Sequence, residues 1–180
     1  MSQGELPATS YALLGLLSFG QELTGYEVKQ WADATLRFYW VAPAMSQVYS
    51  DLGRLAERGL VTARDEEGAG RTVRRYRITD QGLARLRAWL VEPVDDFPVL
   101  KHPVALKLLL GHVTGAAAAR DLLDRYADAL DAQRANLQKV RDGLGDDATF
   151  AYPALVAEWG LAYYASEEAI AARLLDRLES

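Results

Sequence analysis

The sequence has no cysteine, which excludes a disulfide framework and any metal site built on thiolates. Histidine is nearly absent too. His102 and His112 are the only two, and neither has a second imidazole at ligand spacing, so no metal and no cofactor is expected. No glycine-rich phosphate loop, Ser/His/Asp set or clustered carboxylate pair stands out, and acid–base chemistry loses its commonest agent. An enzyme is not expected. Long apolar runs are also missing: Tyr11–Leu17 and Val104–Leu110 fall far short of the ~20 residues that span a bilayer. The opening Met-Ser-Gln-Gly-Glu-Leu-Pro sets no basic cluster ahead of an apolar stretch, as a secretory signal would. These absences predict a cytoplasmic protein with no membrane partner.

Positive charge is not in excess, since 20 Lys/Arg face 25 Asp/Glu for a net charge of −5. The distribution matters more than the sum. Residues 1–93 carry 11 basic and 11 acidic side chains, whereas residues 94–180 carry 9 and 14. Within the first part, Arg71-Thr-Val-Arg74-Arg75-Tyr-Arg77 sets four arginines in seven residues, with no acid between Gly68 and Thr79. Such a local basic element on a neutral domain suits phosphates.

The apolar pattern predicts the elements. Ser10 is a candidate cap for a first helix carrying Leu13, Leu14, Leu16 and Leu17 and stopping at Gly20. Thr24-Gly-Tyr-Glu27 is a capping box ahead of Val28, Trp31, Ala32 and Thr35 at helical spacing. Pro43 is placed where a third helix can begin. That helix runs to about Arg58, with Val48, Leu52 and Leu55 inward and Ser46, Gln47, Ser50, Asp51 and Arg54 outward; Gly59 ends it. Leu60–Asp65 and Thr72–Thr79 form a hairpin around the turn Glu67-Gly-Ala-Gly70. Thr79 or Asp80 caps a fourth helix with Leu83, Leu86 and Leu90 inward beside Trp89. Three helices, a hairpin and a linking helix make a winged helix-turn-helix order.

The second part contains no convincing strand. Pro98 and Pro103 break a linker before an apolar helix over Val104–Leu110. Thr114 is a candidate cap for a long helix reaching about Leu144. Along it Leu123, Tyr126, Leu130, Gln133, Leu137, Val140 and Leu144 alternate at heptad spacing, with Gln133 the polar break. A last helix from about Tyr152 presents Leu155, Trp159, Tyr163, Ile170, Leu174 and Leu178, with Gly160 interrupting the pattern without necessarily breaking the helix. Two long apolar stripes with one short helix to cover them predict a homodimer, with intramolecular core as the alternative for a stripe of this kind. The expected architecture is mostly α with a small β-hairpin: an N-terminal winged helix-turn-helix domain over residues 1–93 and a C-terminal α-helical dimerisation domain over residues 94–180.

Six segments in order, Leu13-Leu-Gly-Leu-Leu17, Thr24-Gly-Tyr-Glu27, Phe38-Tyr-Trp40, Ser46-Gln-Val-Tyr49-Ser-Asp-Leu52, Gly59-Leu-Val61 and Tyr76-Arg-Ile-Thr79, resemble the PadR family of bacterial transcriptional regulators. The Phe-Tyr-Trp element and the length of the tail are most similar to its phenolic-acid-responsive and virulence-activator-like branch. One departure is that Ala42-Pro43 stands where the family commonly has a serine cap, which leaves the start of the third helix open. The resemblance implies a homodimer that pairs through its long C-terminal helices, binds a roughly palindromic operator in double-stranded DNA, represses by default, and has Tyr49 at the DNA.

The chemistry follows from the residue types. A helix fits the major groove, and Ser46, Gln47, Ser50 and Arg54 are candidates for base edges, with Gln suited to adenine and Arg to guanine. Arg54 has an alternative in Asp51 or Glu57 on its own helix. Tyr49 suits a phosphate or the edge of the core. Thr24 and Tyr26 stand at a helix start whose N–H groups suit another phosphate, and Arg71, Arg74 and Arg75 on the wing suit the backbone or the minor groove. The aromatics divide between core and a pocket for a small aromatic effector, for which Trp40, Trp89 and Trp159 are candidates. A winged-helix protein-interaction module that never touches DNA, or an activator without an effector, is the alternative reading.

Overall fold

The computed structural model describes residues 6–38, 40–68, 71–94 and 101–179; Tyr39, the hairpin tip at 69–70 and Pro98 lie outside them. The chain divides into two compact units, Met1–Asp95 and Asp96–Ser180.

The first unit is built on α1 (Ala8–Leu17), whose Tyr11, Leu13, Leu14, Leu16 and Leu17 are all buried. A helix that is apolar nearly all round belongs in the middle of a core. Ser10 does not cap it. The helix begins one turn earlier, after an extended Pro7, and Ser10 is buried inside it. The strand β1 (Leu23–Thr24) follows and leads into α2 (Gly25–Thr35). The capping box there is complete: Glu27 N–H donates to Thr24 Oγ1 at 3.1 Å, and Thr24 N–H donates to the Glu27 carboxylate at 2.7 Å.

Helix α3 (Met45–Glu57) starts after Ala44, which makes no side-chain cap, so Pro43 precedes the helix instead of opening it. Val48, Leu52 and Leu55 are fully buried, and Gly59 turns the chain with φ +68. Asp51, expected on the outer face, is also fully buried. Strands β2 (Val61–Gly68) and β3 (Arg71–Ile78) pair antiparallel from Val61↔Ile78 to Gly68↔Arg71. The sheet has a third member that periodicity did not reveal. Leu23 and Thr24 pair with Tyr76 and Arg75, giving the order β1-β3-β2. Two residues are too few to show an alternation of period two.

Thr79 caps α4 (Asp80–Leu90) through the Gly82 N–H at 3.0 Å. Gly82 lies so close to the Leu60 carbonyl oxygen that a Cβ would collide with it. Leu86 is buried and Leu83 half-buried, but Leu90 points outward, 64% exposed. Trp89 instead completes the inner face, stacked on Tyr11 with ring centroids 4.5 Å apart.

In the second unit, α5 (Pro103–Leu109) has Pro103 in its first turn and His102 as cap. Helix α6 (Ala116–Leu144) is entered through Gly115 at φ +83, not capped by Thr114. Helix α7 (Ala151–Glu179) runs unbroken through Gly160. A Cβ at 160 would stand 2.7 Å from Leu137 Cδ2, and its absence lets the two helices approach.

The heptad stripe of α6 therefore divides. Leu123, Leu130 and Leu137, expected at a subunit boundary, are already buried within this one chain as α6 packs along α7, where Ala157, Gly160 and Ala171 provide small surfaces. Tyr126, Val140 and Leu144 are half-buried, and Gln133 is exposed, off the seam. On α7 the position is reversed: Leu155, Trp159, Tyr163 and Ile170 are exposed, while Leu174 is half-buried. Among the described residues no helix is long and apolar enough to cross a membrane.

Candidate nucleic-acid interface

Burial of Val48, Leu52 and Leu55 fixes the roll of α3 on the core, and that roll turns Ser46, Gln47, Tyr49, Ser50 and Arg54 outward. All five of these predicted residues share the exposed part of one helix. Tyr49 joins them to a second element, because its ring covers Gly25, the first residue of α2. A Cβ at position 25 would meet Tyr49 Cδ1 at 2.9 Å and Cζ at 3.0 Å. Tyr49 is still 47% exposed and Tyr26 57%, so two phenols flank the start of α2.

The capping box limits what that start offers. Thr24 spends its hydroxyl and its N–H on Glu27, leaving the amides of Gly25 and Tyr26 for an anion. The hydrogen bond from the Thr24 backbone holds the Glu27 carboxyl below the usual carboxylate range, with Arg75 adding to the effect.

The wing differs from its sequence reading. Arg74 and Arg75 run through a stretch without acids, yet the antiparallel register brings acids from the opposite strand. Asp65 faces Arg74 directly and accepts from it twice, at 2.7 and 3.0 Å. Glu66 accepts from Arg75 Nε at 2.5 Å, and Arg75 also reaches the Glu22 carbonyl and Glu27. These partners hold the Asp65 carboxyl below its usual range and raise both guanidinium pKa values. Arg64 pairs with Glu22 at 3.2 Å. Among the described residues Arg77 is exposed and has no ion-pair partner, while the Arg71 side chain lies outside them. Asp65 and Glu66 are thus part of this surface and were missed; the signal was the hairpin register, which pairs residues from either side of the turn.

Arg54 donates to Asp51, one turn back along α3, and the second oxygen of that buried carboxylate has no partner among the described residues.

The three tryptophans singled out for an effector are not equivalent. Trp89 is a stacked core residue, whereas Trp40 and Trp159 are exposed and belong to different units. An open groove of about 480 Å³ lies between α5 and α6, lined by Leu108, Leu110, Val113, Ala118 and Leu122 among others, and contains none of them. His102 meets Tyr126 and Glu167 at 2.9 and 3.1 Å in a closed hydrogen-bonded cluster. Among the described residues no group of three or more His, Cys, Asp or Glu is placed to hold a metal.

Known proteins share this architecture. A structure of Bacillus subtilis PadR in complex with operator DNA superposes with a TM-score of 0.85 at 24% identity, covering 96% of this chain and 99% of that one. A PadR-like transcriptional regulator from Bacillus cereus gives 0.79 at 19% identity, covering 99% of both chains. The Vibrio cholerae virulence activator AphA gives 0.71 at 22%, covering 94% of this chain and 97% of that one. No curated protein sequence matches. Residues 13–88 match the model of the PadR-like family of transcriptional regulators, and residues 100–179 match that of the virulence activator α C-terminal region. The winged unit, with its outward polar helix, thus belongs to the PadR-like family of transcriptional regulators over residues 13–88, and the helical unit carries the virulence activator α C-terminal region over residues 100–179.

Proposed function

We propose that two copies of the chain bind a palindromic operator in double-stranded DNA, each laying α3 in a major groove. The observation that carries this reading is the outward edge Ser46, Gln47, Ser50 and Arg54, beside a Tyr49 held over the start of α2. Base edges take Gln47 and Arg54; phosphates take Tyr49, the amides of Gly25 and Tyr26, and the wing arginines Arg71, Arg74 and Arg75. The copies pair through α7, where Leu155, Trp159, Tyr163 and Ile170 leave an aromatic and aliphatic face uncovered in the single chain. Such a protein works in the cytoplasm and catalyses no reaction.

In this reading the regulator represses and is released by a small aromatic effector. A relative, Bacillus subtilis PadR, has been solved with p-coumaric acid, at a TM-score of 0.79 and 24% identity. Exposed Trp40 and Trp159 offer rings on which such a molecule stacks. Activation is the second reading, favoured by the virulence-activator match over residues 100–179.

The test is binding of the purified chain to duplexes from the promoter of its own or an adjacent gene. With about 6–10 phosphate contacts per dimer, affinity falls roughly 10³–10⁵-fold between 50 and 200 mM salt. Replacing Arg74 and Arg75 with Ala abolishes the complex if DNA is the partner and leaves a protein–protein complex intact if it is not. Adding p-coumaric acid weakens operator binding in the repressor reading, and a nearly salt-independent affinity contradicts the scheme.

A further inference from the structure

Asp51 is a physical anomaly on α3. It is fully buried, as are Val48, Leu52 and Leu55, the apolar residues of the same helix. An ionised carboxylate in such a place is costly unless its oxygens are all hydrogen-bonded. One oxygen accepts from Arg54, and the other accepts nothing among the described residues. An ordinary helical pair three residues apart contributes too little to repay that cost. Replacing such a buried charge with a well-packed apolar side chain is often neutral or stabilising. The compensation must lie outside folding.

It lies on the other partner. Arg54 is half-exposed on the face that carries Ser46, Gln47 and Ser50, and its guanidinium has five N–H donors in a rigid fork. A free arginine loses rotamer entropy when it docks on a base. An arginine already tied to a buried carboxylate has lost much of it beforehand, and the untied donors keep a fixed direction. We infer that Asp51 is a positioning residue that aims Arg54 at a guanine O6/N7 pair in the major groove, at some expense of stability. This rests on the reading of α3 as the DNA-contacting helix.

The experiment selects bound duplexes from a random pool with the full-length chain, then measures affinity for single-base variants of the selected site. Arg54→Ala relaxes the preference for guanine at one position per half-site by about 5- to 150-fold. Asp51→Leu relaxes the same position, melts at or above the wild-type temperature, and adds nothing further in the Arg54→Ala background. Asp51→Asn, which keeps an acceptor, falls between Asp51→Leu and wild type. A purely structural Asp51 would instead lower the melting temperature and weaken all duplexes alike, which overturns the inference. Full retention of the guanine preference in Asp51→Leu overturns it too. A wild-type chain that enriches no sequence overturns the DNA reading and this inference together.

Discussion

The Tyr49 ring lies against Gly25, so closely that the glycine has no room for a methyl group. One contact therefore sets the distance between α3 and the amide-bearing start of α2. Gly25→Ala forces the phenol away and costs about 1–3 kcal/mol of stability by overpacking. Operator affinity falls with it, since the two phosphate contacts no longer share one spacing. Tyr49→Ala in the same chain relieves the clash, so the double variant is more stable than the two single losses add up to in denaturant titration.

The wing predicts an unusual response to removing negative charge. Asp65 and Glu66 engage Arg74 and Arg75 in the free protein, and a phosphate must displace them. The double variant Asp65→Asn, Glu66→Gln releases Arg74 and leaves Arg75 held by Glu27 and the Glu22 carbonyl alone. Affinity for random duplex rises at low salt, and the slope of log K against log[salt] steepens by about 1–2, as one or two further phosphates are neutralised. An unchanged slope means that the wing does not touch the backbone.

Glu27 gives the winged unit a pH dependence of known sign. Its folded pKa is lowered, mainly by the Thr24 backbone N–H, so the stability it adds is fully present above the unfolded carboxylate range. That contribution is lost as pH falls through the folded value. The gap in unfolding free energy between wild type and Glu27→Gln is therefore larger at neutral pH than in acid. Thr24→Ala removes the cap itself and costs about 0.5–2 kcal/mol at neutral pH.

In the helical unit, folding and the proposed pairing rest on different residues. Leu137 is fully buried against the α7 glycine, and Leu137→Ala costs about 2–5 kcal/mol in thermal or chemical unfolding. Trp159 is exposed on the single chain, and Trp159→Glu leaves the α6–α7 hairpin intact while shifting sedimentation from dimer toward monomer. A variant that unfolds without dissociating would assign Trp159 to the core of one chain.

What the sequence revealed follows from the range of each signal. The capping box at Thr24 and Glu27, the buried stripe of α3 and the glycine stop at Gly59 are local, and all stand as expected. The two-residue β1 escaped because its definition lies in Tyr76 and Arg75, far along the chain. The arginine-rich β3 looked purely cationic because Asp65 and Glu66 are close only through strand pairing. Leu123, Leu130 and Leu137 show the same limit from another side. A heptad stripe fixes which face is buried but not whose helix covers it, and here α7 of the same chain does. Asp51 shows that the outward face of a helix cannot be told from residue polarity alone, since its burial follows from the roll set by its apolar neighbours.

In the proposed complex, paired copies present one polar helix edge each to the same duplex. Selection of bound DNA from a random pool by the intact chain addresses it most directly. The expected product is an inverted repeat whose half-site centres are about one helical turn apart, roughly 34 Å. Recovery of unenriched DNA, or of a single half-site bound by a monomer, contradicts it.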